Sequence, residues 1–180
     1  GYKVIVNGRE MGMYASYSYL GLVGHPRINR AAKEAIDRYG TGTHGVRTLA
    51  GSLQLHRELE ETIAEFKNTE AAITFSSGYA TNLSVISTLV GRGDYVICDK
   101  LNHASIVDGC LMSGARFLRF RHNDMQSLEQ RLQQAPSGVA KLVIADAVFS
   151  MDGDIIDLPK IVELCRQYNA WLMVDEAHSV

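Results

Sequence analysis

The chain has 180 residues, of which 46% are hydrophobic and 21% charged, and its formal net charge is −2 at pH 7. That length allows one ordinary globular domain with a sizeable core, and the small charge gives no electrostatic reason to expect nucleic acid or an anionic membrane as a partner. The sequence has no basic-then-apolar leader and no apolar run long enough for a bilayer, so we expect a cytoplasmic location and no membrane segment. Its three cysteines contain no C-x-x-C pair, and we expect them to be reduced.

The first part of the chain predicts a hairpin and a helix. Asn7-Gly8 is a strong two-residue turn signal between strand-like runs at 2–6 and 10–15. Pro26 stands at a helix start, and apolar residues at helical spacing follow it until Gly40 ends the helix. We take residues 1–40 as an N-terminal segment and residues 41–180 as part of a larger domain.

Helix-like and strand-like segments alternate after a glycine-rich loop at 40–51. The predicted elements are helix 53–66, strand 71–75, helix 79–90, strand 95–98, helix 104–112, strand 116–120, helix 125–134, strand 141–149, helix 158–168 and strand 170–175. Strands that alternate with helices indicate crossover connections. The chain is therefore predicted to be an α/β protein with a mainly parallel sheet and helices on both faces.

Polar residues follow several of the predicted strands. Asp175 and His178 close the last strand, His103 follows strand 95–98, and Ser150 follows strand 141–149. Because ligands of open α/β sheets bind at the carboxyl ends of the strands, Asp175 and His178 are the first candidates for chemistry. The imidazole of His103 has two interpretations: it faces a flat ring or acts as an acid or base, or it caps the next helix.

A further candidate lies between strand 71–75 and helix 79–90. This segment contains Ser77, Gly78 and Tyr79, which supply hydroxyl groups, a small residue and the free N–H groups of a helix N-terminus. Such a combination suits an anion. A plain serine cap explains the same residues. An anion site, a ring-facing imidazole and a carboxylate that keeps a ring nitrogen protonated together describe a site for pyridoxal 5'-phosphate.

Three other motif interpretations fit the sequence less well. Residues 40–45 spell G-x-G-x-x-G, but a predicted helix rather than a strand precedes them. Residues 175–178 spell a helicase-type Asp-Glu-Ala-His box, but no lysine in the chain follows a glycine, so a P-loop is missing. Zinc ligation by His103, Asp175 and His178 would lack the usual local histidine spacing, and no metal site is expected.

At these residues the chain resembles the α-oxoamine synthase family of pyridoxal-phosphate enzymes. The resemblance covers nearly the whole chain and is carried by segments 19–22, 25–26, 40–47, 51–60, 75–82, 102–105, 148–154 and 174–178. It implies the large domain of an aminotransferase-like, fold type I enzyme whose C-terminal part lies outside this chain.

The resemblance also implies roles for individual residues. His103 would stack on the pyridine ring, and Asp175 would pair with the ring nitrogen. The phenolic oxygen would be contacted by His178 and Ser150. The phosphate would be held by Ser77, Gly78 and Tyr79. His103, Asp175 and His178 are therefore the expected catalytic residues.

The implied reaction is the decarboxylative condensation of an amino acid (serine, glycine or alanine) with an acyl thioester of coenzyme A or acyl carrier protein, in a homodimer. The product is an α-amino ketone. The family's Schiff-base lysine follows the Asp-x-x-His segment, and none of the six lysines here matches it, so we expect this chain to be inactive alone. Two alternatives stay open: a catalytically inert partner subunit of a heteromeric relative, and another fold type I reaction such as transamination.

Overall fold

The computed structural model describes residues 3–179, and Tyr2 of the predicted first strand lies outside them. The elements within this range are β1 Lys3–Val6, β2 Arg9–Gly12, α1 Pro26–Tyr39, α2 Gln54–Lys67, α3 Gly78–Leu89, β3 Tyr95–Asp99, α4 Ala104–Ser113, β4 Arg116–Phe120, α5 Met125–Gln133, β5 Lys141–Asp146, α6 Leu158–Gln167 and β6 Trp171–Asp175. They fall into two compact units, one ending at Thr74 and the other beginning at Phe75. The predicted division after residue 40 stays a prediction.

The first unit contains the predicted hairpin and helix. Strands β1 and β2 pair antiparallel, with Val6 opposite Arg9. Asn7 and Gly8 between them have φ angles of 50° and 75°, the positive values that a type I′ turn requires. Helix α1 begins at Pro26, and the backbone N–H of its cap residue Gly40 donates to the Ile36 carbonyl.

The second unit is built on a four-stranded parallel sheet in the order β4-β3-β5-β6. Every residue of the two central strands, β3 and β5, is buried. This is the reason their sequences are nearly continuous apolar runs, since a central parallel strand is covered on both faces.

Helices cover the two faces of this sheet with separate cores. Alternate side chains of β3 and β5, such as Val96 and Leu142, pack in one cluster with residues of α3 and α4. The intervening side chains, such as Ile97 and Val143, pack in a second cluster with residues of α5 and α6. The predicted α/β architecture, with a parallel sheet between helices, is confirmed. No helix among the described residues is both long and apolar enough to cross a membrane.

The predicted strand at 71–75 is wrong, because this segment pairs with no strand among the described residues. The backbone N–H of Thr74 donates to Glu60 Oε1 at 2.8 Å instead of to a neighbouring strand. Glu60 also forms an ion pair with Arg47, whose Nη2 lies 3.0 Å from Glu60 Oε2. The hydrogen bond from Arg47 and that from the Thr74 backbone lower the pKa of Glu60 to about 2. The Glu60 carboxylate, rather than a neighbouring strand, therefore accepts the hydrogen bond from the Thr74 N–H.

Strand β5 ends at Asp146, three residues before the predicted end at Phe149. Beyond Asp146 the chain turns back on itself, with a single antiparallel bridge between Val148 and Ile155. The N–H of Phe149 donates to the Asp154 carbonyl at 3.0 Å, and the N–H of Gly153 donates to the Phe149 carbonyl at 2.8 Å. The apolar run therefore continues past the strand because Phe149 packs in the core between the sheet and helices α5 and α6.

Candidate active site

A cavity of about 470 Å³ lies at the carboxyl ends of β5 and β6, beside the first turn of α3. It is lined by Gly78, Tyr79, Thr81, Asn82, His103, Ser105, Asp146, Val148, Met173, Val174, Asp175, Glu176, Ala177 and His178. Its place at the ends of parallel strands is where open α/β sheets bind ligands.

Five of the seven predicted site residues line this cavity: Gly78, Tyr79, His103, Asp175 and His178. The other two are not among its lining residues. Ser77 is the N-cap of α3, and its side chain accepts a hydrogen bond from the Ala80 N–H. Ser150 is exposed in the turn that follows Phe149. The tertiary structure thus brings together residues from three separate parts of the chain, around positions 78, 103 and 175.

The Asp175 carboxylate is held in place by two hydrogen bonds. Asn82 Nδ2 on α3 donates to Asp175 Oδ2 at 2.9 Å, and the Ala177 N–H donates to Asp175 Oδ1 at 2.9 Å. Both oxygens accept, which fits an ionised carboxylate. The side chain is only half-buried, so it can still face a ligand in the cavity.

A hydrogen-bond chain joins Asp175 to His103. The buried Asn82 also donates from Nδ2 to Ser105 Oγ at 2.9 Å, and Ser105 Oγ lies 2.6 Å from His103 Nδ1. The Ser105 backbone N–H donates to the same Nδ1 at 3.2 Å, so this nitrogen acts as an acceptor. These partners assign the ring proton of a neutral His103 to Nε2. The ring of His103 is exposed at the cavity.

The first turn of α3 offers a place for an anion. The leading N–H groups of a helix have no acceptor within the helix and carry part of its positive dipole. Helix α3 starts at Gly78, and a Cβ added there would meet nothing within 4 Å, so the space beside it is open. The neighbouring Tyr79 hydroxyl donates a hydrogen bond to Asp108 of α4. That bond and partial burial raise the pKa of Tyr79.

Asp146 is a residue of the cavity that the sequence interpretation missed. It ends β5 opposite Asp175 in the register of β5 and β6, and it is 4% exposed. Burial, followed by the nearby negative charge of Asp175, raises the pKa of Asp146 to about 7. The sequence held a signal for it, because Asp146 closes an apolar strand in the same way as Asp175 does.

The turn that carries Ser150 is tied to the sheet by a histidine. His122 Nδ1 lies 3.0 Å from Oδ1 of the buried Asp99, and its Nε2 lies 3.0 Å from Asp154 Oδ2. The ring also packs edge-on against Phe149, with ring centroids 4.4 Å apart. His122 and Asp154 thereby fix the far end of the Ser150 turn.

These residues suit pyridoxal phosphate, the cofactor that the sequence predicts. The open helix start at Gly78 suits a phosphate group, and the exposed imidazole of His103 offers a face for a flat ring. The Asp175 carboxylate, held by Asn82, suits a protonated ring nitrogen. All three features face one cavity within the second unit.

Comparison with known proteins supports pyridoxal phosphate as the cofactor. The aminotransferase class I and II family matches residues 13–180. An 8-amino-7-oxononanoate synthase of Geobacter sulfurreducens is 54% identical over 178 residues, which are 99% of this chain and 46% of that protein. A serine palmitoyltransferase of Sphingobacterium spiritivorum is 46% identical over 178 residues, 99% of this chain and 45% of that protein. The chain thus spans about half the length of the curated relatives it matches.

Solved structures of the same kind share the fold. The serine palmitoyltransferase of Sphingomonas wittichii superposes with a TM-score of 0.95 at 43% identity, over 97% of this chain and 44% of that one. The enzyme from S. paucimobilis, with a bound PLP-myriocin aldimine, has a TM-score of 0.95 at 41% identity, over 97% of this chain and 45% of that one. 8-Amino-7-oxononanoate synthase and serine palmitoyltransferase are both α-oxoamine synthases, so the predicted resemblance is confirmed. The chain belongs to the aminotransferase class I and II family of pyridoxal-phosphate-dependent proteins.

Proposed function

We propose that the protein containing this chain catalyses the pyridoxal-phosphate-dependent condensation of serine, glycine or alanine with an acyl thioester of coenzyme A or acyl carrier protein. The reaction releases carbon dioxide and the thiol and yields an α-amino ketone. The observation that carries the proposal is the hydrogen-bonded chain Asp175–Asn82–Ser105–His103 at the cavity. The names of the relatives support the same kind of reaction.

In this proposal the bound cofactor supplies an electron sink for a carbanion at the amino acid's α-carbon. The Asp175 carboxylate holds a proton on the ring nitrogen, and Asn82 keeps that carboxylate in place. His103 covers one face of the ring and excludes water from it. Its Nδ1 is engaged by Ser105, which leaves the Nε2 proton as the one that His103 can offer to a ligand.

We assign the remaining predicted residues to binding. The start of α3, with Ser77, Gly78 and Tyr79, holds the phosphate group, and the Ser77 cap keeps the helix start in shape. His178 lines the cavity and is assigned to the phenolic oxygen. Ser150 has the same assignment, and its turn is held by Asp154 and His122.

Among the alternatives, a catalytically inert partner subunit would be expected to lose its cofactor contacts, whereas His103, Asp175 and His178 are all present at the cavity. We therefore favour an active subunit over an inert one. We further propose a homodimer and a cytoplasmic location. The second of these is supported by three free, buried cysteines, which fit a reducing compartment.

The test is an activity assay on the full-length protein loaded with pyridoxal phosphate. Serine, glycine and alanine are each offered with acyl-coenzyme A substrates of increasing chain length, and release of free thiol and of labelled carbon dioxide is measured. We expect stoichiometric release of both for at least one pair of substrates. Amino-group transfer to a keto acid without loss of carbon dioxide would instead identify a transaminase.

A further inference from the structure

Two carboxyl groups lie at adjoining strand ends in the cavity, and only one of them has both oxygens engaged. Asp146 and Asp175 are direct register partners on β5 and β6. Both oxygens of Asp175 accept hydrogen bonds. Asp146 is 4% exposed, and its Oδ1 is a buried atom without a hydrogen-bond partner among the described residues.

The position of Asp146 is fixed from two sides. Its Oδ2 accepts a hydrogen bond from the His103 backbone N–H at 3.2 Å, just before the start of α4. Its own N–H donates to Asn102 Oδ1 at 3.4 Å, and Asn102 Nδ2 donates to the Ile144 carbonyl at 2.9 Å. Asp146 therefore connects the end of β5 to the loop that presents His103, and its carboxyl group cannot rotate away without breaking the hydrogen bond from the His103 N–H.

The charges around Asp146 disfavour a second ionised carboxylate. The acidic neighbours are Asp175 on β6 and Asp99 on β3, and His103 contributes only a backbone N–H. Glu176 and His178 line the same cavity. A buried ion with one hydrogen bond and two acidic neighbours is strongly disfavoured relative to the neutral acid. The raised pKa of Asp146, about 7, has burial as its main cause and Asp175 as its second.

We propose that Asp146 is a positioning residue of this site that carries a proton on Oδ1, so that the Asp146–Asp175 pair bears a single negative charge, on Asp175. The proposal rests on the assignment of the cavity to pyridoxal phosphate. In it, Asp146 orients His103 through the backbone hydrogen bond and limits the negative charge of the site before the cofactor binds. As the pH rises, the Oδ1 proton leaves to solvent and a second negative charge appears next to Asp175.

This arrangement predicts a specific pH dependence of cofactor binding. A cationic ring bound beside Asp175 stabilises the ionised form of Asp146, so the wild-type protein should gain affinity as Asp146 ionises. Asp146→Asn keeps an acceptor for the His103 N–H and stays neutral at every pH. At low pH the variant should therefore bind pyridoxal phosphate as tightly as the wild type does. At high pH it should lack the gain in affinity that the wild type shows.

The experiment measures the dissociation constant of pyridoxal phosphate for the full-length apoprotein from about pH 5 to about pH 9. Dividing the variant's constant by the wild-type constant at each pH cancels the titration of free cofactor. We expect this ratio to be flat at low pH and to rise through neutral pH, by about tenfold for each unit by which the bound ring lowers the pKa of Asp146. Asp37→Asn, which removes an exposed carboxylate on α1, is the control and should give a flat ratio.

The outcomes separate the two proposals. No binding of pyridoxal phosphate by the wild-type protein would overturn the proposed function and this inference with it. Binding with a flat ratio for Asp146→Asn would overturn only the inference. If the variant does not fold, infrared spectra of the wild-type protein with ¹³C-labelled aspartate test whether Asp146 is protonated. A protonated-carboxyl band at about pH 6 that shifts with the label and disappears as the pH rises supports the proposal, and its absence refutes it.

Discussion

Asn82 Nδ2 on α3 donates a hydrogen bond of 2.9 Å to Asp175 Oδ2 at the end of β6, across 93 positions of sequence. The same nitrogen donates to Ser105 Oγ, so one buried amide organises both the carboxylate and the residue that engages His103. Geometry at the cavity therefore depends on how α3 packs against α4 and the sheet, and not only on the strand that carries Asp175.

Replacing Asn82 should weaken cofactor binding, because it releases the Asp175 carboxylate. Asn82→Ala removes a hydrogen bond to a charged group, for which about 1.5–3 kcal/mol is typical, so we expect roughly a 10- to 100-fold loss in cofactor affinity. Asn82→Asp should lower the cofactor affinity further, because it places a second carboxylate against Asp175. Titration of the apoprotein with pyridoxal phosphate measures both. Ser84→Ala, at an exposed position of the same helix, is the control.

Asp175→Asn should separate cofactor binding from catalysis. A neutral amide cannot hold a proton on the ring nitrogen, so the electron sink is weakened, while the helix start at Gly78 is unchanged. We expect detectable binding of pyridoxal phosphate with turnover reduced by about 10²-fold or more, as for loss of one electrostatic group at other reaction centres. Steady-state kinetics and cofactor absorbance together provide the measurement. Turnover near the wild-type rate would contradict the role of Asp175.

A side chain at Gly109 should destabilise the contact between α3 and α4. A Cβ added there would lie 2.9 Å from Ile86 Cδ1 and 3.0 Å from the Asn82 carbonyl oxygen. We expect Gly109→Ala to lower the free energy of unfolding by roughly 1–3 kcal/mol through overpacking and to weaken cofactor binding by displacing Asn82. Denaturant melts test the first effect. Gly91→Ala is the matched control, since its Cβ would meet only the Ser113 carbonyl, at 3.8 Å.

The His122 bridge should stabilise the fold more at acidic than at alkaline pH. Burial lowers the pKa of His122, but its hydrogen bonds with Asp154 and Asp99 outweigh burial, so the pKa lies above its ordinary value. A group with a raised folded-state pKa contributes stability that is fully present below its unfolded pKa, about 6.5, and is lost as the pH rises through the folded value.

We therefore expect His122→Gln to lower the melting temperature more at about pH 6 than at about pH 9. The measurement is a thermal melt of the full-length wild type and variant across this range. A difference in melting temperature that is constant with pH would contradict a charged bridge between Asp99 and Asp154.

The isolated 180-residue chain should not form a covalent adduct with pyridoxal phosphate at a lysine. The three lysines of the second unit, Lys100, Lys141 and Lys160, are not among the residues that line the cavity. We expect no yellow, borohydride-reducible species when the chain alone is mixed with the cofactor. Mass spectrometry after reduction tests this, and a single modified lysine would contradict the prediction and identify a catalytic lysine within this chain.

Much of the secondary structure could be read from local patterns. The turn at Asn7-Gly8, the helix between Pro26 and Gly40, and the alternating strands and helices from β3 onward all follow from short-range chemistry. Backbone conformation, caps and burial period are properties of a few neighbouring residues, and this is why these predictions succeeded. The strand expected at 71–75 failed because a strand also needs a partner, which a local pattern does not contain.

The sequence by itself determined the fold class, the family and five of the cavity residues: Gly78, Tyr79, His103, Asp175 and His178. Only the tertiary structure decided that Asn82 joins Asp175 to Ser105, and that Ser77 and Ser150 are not among the lining residues. It also decided the character of Asp146, because a carboxyl group's charge depends on burial and on the acid opposite it on the next strand. Strand-end position can be read along the chain, whereas hydrogen bonds and electrostatic coupling depend on distances between segments that only folding brings together.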